Sequence, residues 1–125
     1  MNVVLISPGY PAEMAEFTRA LGHVGAHVIG LGEHPIDALP NAARGGMKTY
    51  VQARSLVDED GVAKQLEHLR RHMPIDRIEC LWEPFMLLAA RMRERLDLPG
   101  MTVAETEPFR DKEKMKQVLD AAGVR

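Results

Sequence analysis

Met1-Asn2-Val3-Val4-Leu5-Ile6-Ser7-Pro8-Gly9-Tyr10-Pro11 opens the chain, and the change of pattern inside this stretch decides the fold class. Residues 3–6 form an unbroken apolar run, as a strand covered on both faces requires. Ser7-Pro8-Gly9 breaks that run, and Pro11 suits the first turn of a helix. Met14, Phe17, Leu21 and Val24 follow at spacings of three and four, so one apolar stripe is expected on a helix that stops near Gly22 or Gly25.

The alternation of strand and helix continues along the chain. Residues 26–31 read as a second strand, closed by Gly30-Leu31-Gly32. The stretch 33–48 has two prolines and no sustained periodicity, and is expected to be a long loop; Tyr50-Val51 follows as a short third strand. Asp58 or Asp60 can cap the next helix, whose apolar positions are Val62, Leu66, Leu69 and Met73 and which Pro74 ends. A fourth strand is expected over residues 76–82, with Ile78, Cys80 and Trp82 on one face and Leu81 on the other. Glu83-Pro84 then opens a helix with Phe85, Leu88, Ala89, Met92 and Leu96 as its buried stripe, stopped by Leu98-Pro99-Gly100. Residues 101–103 read as a short fifth strand, followed by a turn through Thr106 and Pro108 and a helix over 111–122, with Gly123 just past its end. The expected fold is therefore α/β: a small, doubly wound, Rossmann-like, mostly parallel sheet of four to five strands with helices on both faces. In such sheets ligands sit at the carboxyl ends of the strands.

Composition narrows the function. The chain has 125 residues, 46% hydrophobic and 27% charged, the balance of one soluble globular domain. With 16 basic against 18 acidic side chains it has no broad electrostatic footprint for nucleic acid or anionic lipid, so neither partner is expected. No apolar run approaches the length of about 18 residues that suggests a membrane-spanning helix. The apolar opening is too short for a signal h-region and has no basic segment before it. Cys80 is the only cysteine, so no internal disulfide can form and a reducing, cytoplasmic location is expected. Within its apolar run Cys80 reads as a small core residue rather than a nucleophile.

Several groups invite a chemical role. Ser7-Pro8-Gly9-Tyr10 places a hydroxyl and a glycine backbone at the end of the first strand, before a helix N-terminus; it suits an anion or substrate as well as it suits a tight turn. Glu83 follows the fourth strand at a helix start, where the helix dipole alone favours a carboxylate by about 0.3 to 1 kcal/mol, and where a substrate would also face. Arg44-Gly45-Gly46-Met47-Lys48 lacks P-loop spacing and reads as a flexible basic loop. Gly30-Leu31-Gly32-Glu33 falls short of a dinucleotide fingerprint, which needs its glycines in the first strand-to-helix turn. His68 and His72 share a helix face, but no third ligand accompanies them, and they read as surface histidines.

The closing segment is the most specific. Thr106-Glu107-Pro108-Phe109-Arg110-Asp111-Lys112 leads into a helix that carries Met115 and Leu119 and ends at Gly123-Val124. This resembles the end of the first domain in ATP-grasp enzymes such as biotin carboxylase and carbamoyl phosphate synthetase. The resemblance implies an enzyme that uses ATP and magnesium to activate a carboxylate or bicarbonate as an acyl phosphate, which an amine or similar nucleophile then captures. It implies that Lys112 reaches the nucleotide phosphates, the other reading being a solvated first-turn lysine. Their position at the carboxyl edge of the sheet makes Gly9, Tyr10 and Glu83 the expected substrate-side residues. Residues 1–125 are then expected to be one domain of a longer enzyme with ATP-grasp domains downstream. No catalytic residue or metal ligand, no tight cofactor binding and no turnover are expected of this piece alone. Two other readings are a free-standing Rossmann-type module for a nucleotide or small molecule, and a domain that supports a homodimer through exposed Trp82, Phe85 or the Met-containing helices.

Overall fold

A computed structural model describes residues 1–110. Four strands, β1 (Asn2–Ile6), β2 (His27–Gly32), β3 (Met47–Gln52) and β4 (Arg77–Glu79), form one sheet in the order β3-β2-β1-β4. All three pairings are parallel. β1 lies inside the sheet, and Val4 faces Ile29 on one side and Ile78 on the other, all three at 0% exposure. Burying a side chain of this size contributes about 1.5–3 kcal/mol before chain entropy is counted. The apolar opening run is thus the middle of the core.

Helices cover both faces, as expected. α1 (Ala12–His23) sets Met14 against Leu5 and Val28, and α2 (Asn41–Gly46) lies beside it. On the other face α3 (Glu59–Arg70) and α4 (Met86–Arg95) bury Val62, Leu66, Leu88 and Met92 against Val4, Ile6, Ile29 and Leu31. Asp58 caps α3 by accepting from the Gly61 N–H at 3.1 Å. No helix of the described residues is long and apolar enough to cross a membrane.

Five expectations change. First, residues 33–48 are not one long loop: they hold a short 3-10 turn (Ile36–Ala38) and α2, and β3 starts at Met47, three residues before Tyr50. The basic Arg44-Gly45-Gly46 stretch is accordingly the end of a packed helix rather than a flexible loop. Large apolar residues are absent from α2 because it packs backbone to backbone on α1. A Cβ at Gly46 would stand 2.3 Å from the Thr18 carbonyl oxygen, and one at Gly22 would stand 2.4 Å from the Gly46 carbonyl oxygen. Second, the buried side of α1 is Met14, Ala15 and Thr18, while Phe17 and Val24 face solvent at 40% and 77% exposure. Thr18 fits there because its hydroxyl donates a hydrogen bond to a carbonyl oxygen, that of Pro8 or of Met14, each 2.7 Å away.

Third, β4 is shorter than residues 76–82 suggested, and Glu83–Phe85 is a 3-10 turn that leads into α4. Fourth, no strand forms over 101–103, and no turn interrupts the chain at Thr106 and Pro108. Instead α5 (Val103–Arg110) begins there, since Thr102 and Glu105 make a reciprocal capping box: Glu105 N–H to Thr102 Oγ1 at 3.2 Å and Thr102 N–H to Glu105 Oε1 at 3.0 Å. Those bonds from Thr102 hold the Glu105 carboxyl below the usual carboxylate range. Fifth, Trp82 and Phe85 are half-buried against the core rather than exposed. The helix expected over 111–122, with Lys112, lies outside the described residues.

One buried charge ties the fold together near α5. Arg93 on α4 is 5% exposed and donates through Nη1 to the Ile78 carbonyl at 2.6 Å and through Nε to the Met101 carbonyl at 2.9 Å. Glu79 stands 3.5 Å from its guanidinium. A buried cation is tolerated only when its donors are satisfied in this way.

The α1–α2 contact predicts that two neighbouring glycines respond oppositely. Gly46→Ala forces backbone apart and should cost about 1–3 kcal/mol. Gly45→Ala meets nothing within 4 Å and, in a helix, should be neutral or stabilising by up to about 1 kcal/mol. Urea midpoints of the two variants check this; equal effects would contradict it. A second prediction concerns Cys80, whose thiol burial pushes up to about 11. Native protein should resist thiol-specific reagents at pH 8 and react once unfolded. Because the folded value is raised, the stabilisation is complete below the unfolded thiol's range and should fall as pH rises towards 11. Melting temperature against pH measures it.

Candidate functional site

The segments that follow β1, β2 and β4 meet at the carboxyl edge of the sheet. Between them lies a cleft of about 190 Å³ lined by Ser7–Tyr10, Gly32–His34, Leu39, Tyr50, Leu56 and Trp82. Each wall has a local cause.

Ser7 ends β1 in a left-handed backbone conformation, φ 59°, which costs an L-residue about 1–2 kcal/mol. Its N–H donates to the Leu31 carbonyl at 2.8 Å and its Oγ donates to the Tyr10 carbonyl at 2.5 Å, which hold the turn. Gly9 is demanded by close approach: a Cβ there would stand 2.8 Å from Leu39 Cδ2 and 3.1 Å from Pro40 Cδ. Leu39 is brought to Gly9 by the segment that leads into α2. Tyr10, 57% exposed, packs edge-on against Trp82 with ring centroids 5.0 Å apart, and Trp82 packs in turn on Phe85 at 5.3 Å. Trp82 is fixed further by the Cys80 thiol, which donates to its carbonyl at 3.4 Å.

The opposite wall depends on Tyr50. Its hydroxyl donates to the His34 carbonyl at 2.5 Å, and Gln52 Nε2 donates to the Glu33 carbonyl at 3.2 Å, so β3 holds the loop that leaves β2. Burial raises the Tyr50 hydroxyl above its ordinary value, and it stays a proton donor at neutral pH. Gly30 and Gly32 provide the seat for this ring. A Cβ at Gly30 would lie 2.2 Å from Met47 Sδ and 2.9 Å from Tyr50 Cδ1, and one at Gly32 would lie 2.8 Å from the Tyr50 hydroxyl. These glycines serve strand and ring packing.

Of the residues singled out in the sequence, Gly9 and Tyr10 line the cleft. Glu83 is exposed at the head of the turn after Trp82 and falls outside the lining. Lys112 lies beyond the described residues. Tyr50, Leu39 and the pair Glu33-His34 complete the site without having been marked as substrate-side residues. The available signal was Gly30 and Gly32 in the neighbouring strand, where missing side chains make room for a large one. Among the described residues there is no group of three or more His, Cys, Asp or Glu that could hold a metal ion.

Comparison with known proteins now places the chain. Residues 17–100 match the model of the ATP-grasp N-terminal domain. No curated protein matches the chain. Among solved structures, the crystal structure of an L-amino acid ligase from Bacillus licheniformis aligns with 99% of the chain at a TM-score of 0.78 and 20% identity, a likeness of fold. The chain spans 30% of the length of that ligase. Since the matched span 17–100 is more than half of the chain, this protein belongs to the ATP-grasp N-terminal domain family.

Proposed function

We propose that this domain forms the substrate-side wall of an ATP-dependent ligase that joins a carboxylate or bicarbonate to an amine through an acyl phosphate. One observation carries the proposal: in a chain of this family, the cleft sits at the carboxyl edge of the parallel sheet, between the segments that follow β1 and β4. The loop through Ser7–Tyr10 and the ring of Trp82 would orient the carboxylate substrate and keep water from one side of it. In this reading ATP and its magnesium bind in ATP-grasp domains downstream, as membership of the N-terminal domain family suggests. Lys112 is this domain's proposed contact with the nucleotide phosphates, as an ammonium on a flexible stem can follow a phosphate as a point charge. The proposed workplace is the cytoplasm.

Hydroxylamine trapping tests the reaction class, because it intercepts an acyl phosphate as a hydroxamate. Intact enzyme is expected to form hydroxamate from its carboxylate only with ATP and magnesium, while the 125-residue chain alone forms none. ADP release without hydroxamate, or turnover by the isolated chain, would contradict the proposal.

A further inference from the structure

We infer that the cleft recognises a flat ring on the substrate, aryl or heteroaryl. The inference rests on the cleft being the substrate side, as proposed above, and adds the chemical class of what enters it.

Size comes first. A cleft of about 190 Å³ falls below the range of roughly 300–1,000 Å³ that holds a whole drug-sized ligand. It accommodates one ring. The walls are apolar and aromatic: Tyr10, Tyr50, Trp82, Leu39 and Leu56. Tyr10 and Trp82 already meet edge to face at 81°, so the pair presents both a ring face and a ring edge to a third ring.

Few polar side chains compete for this space. Of the three hydroxyls in the lining, two are engaged within the protein, Ser7 Oγ with the Tyr10 carbonyl and Tyr50 with the His34 carbonyl. No lysine or arginine lines the cleft among the described residues. Glu33 and His34 complete the lining, both exposed to solvent.

Trp82 is the only tryptophan of the chain, so its fluorescence reports on this site alone. The test titrates the 125-residue chain with benzylamine, cyclohexylamine, phenylacetate and inorganic phosphate. Benzylamine and phenylacetate, which have an aromatic ring, are expected to bind more tightly than cyclohexylamine, and phosphate to leave the emission unchanged. Tyr10→Ala should weaken benzylamine by roughly three- to tenfold, the share of one aromatic pair, and Tyr10→Phe should restore it. Binding of cyclohexylamine or phosphate as tight as that of the two aromatic probes, or silence of every probe, overturns the ring assignment. The intact enzyme then separates this failure from the wider one. If Tyr10→Ala still raises KM for the carboxylate, the substrate-side role stands without the ring; if KM is unchanged, both fall.

Discussion

The position of β1 inside the sheet is the constraint on which the rest depends. From β1 the chain moves outward through β2 to β3, then crosses back to place β4 on the other side of β1. Connections leaving β1 and β4 therefore diverge, and a crevice opens at the carboxyl edge where the winding reverses. Val4, Ile29 and Ile78 form one fully buried row across three strands. That row fixes the register of the edge above it, so Ser7, Glu33 and Trp82 arrive at one place although they are far apart in the chain.

Small residues and one buried charge complete what the row begins. Gly22 and Gly46 let α2 lie backbone to backbone on α1, and this docking draws Leu39 over Gly9 to close one side of the cleft. Gly30 and Gly32 admit the Tyr50 ring, whose hydroxyl pins the loop after β2. On the other flank, Arg93 joins β4 to the segment before α5 through two carbonyl oxygens. The cleft is thus shaped by groups that satisfy one another, which leaves mainly ring faces to meet a ligand.

Much of this was legible in the sequence, for a physical reason. Continuous apolar runs such as residues 3–6 signal strands buried on both faces, and apolar spacings of three and four gave α3 and α4 their buried sides. Elements built from small residues were not legible by the same signal. In α2 packing is carried by Ala43 and the missing side chain of Gly46, so no hydrophobic period exists to be read. α5 did carry a signal in Thr102-Val103-Ala104-Glu105, a capping box outweighed by the apolar look of Met101 and Val103. The cleft was half legible: Gly9 and Tyr10 follow from the strand-to-helix turn, whereas Tyr50 enters only through its pairing opposite Gly30. The family was suggested by the closing segment around Asp111-Lys112, while the matching span is 17–100, where the sequence alone offered only an order of strands and helices.

What enters the cleft in the working enzyme decides the account. A crystal structure of the intact enzyme with its carboxylate substrate and a non-hydrolysable ATP analogue is the most direct measurement. The account predicts substrate density in contact with Tyr10, Tyr50 and Trp82, with the nucleotide approaching from the carboxyl edge of the sheet. Substrate bound wholly outside this cleft, or at the amino edge of the strands, would contradict it.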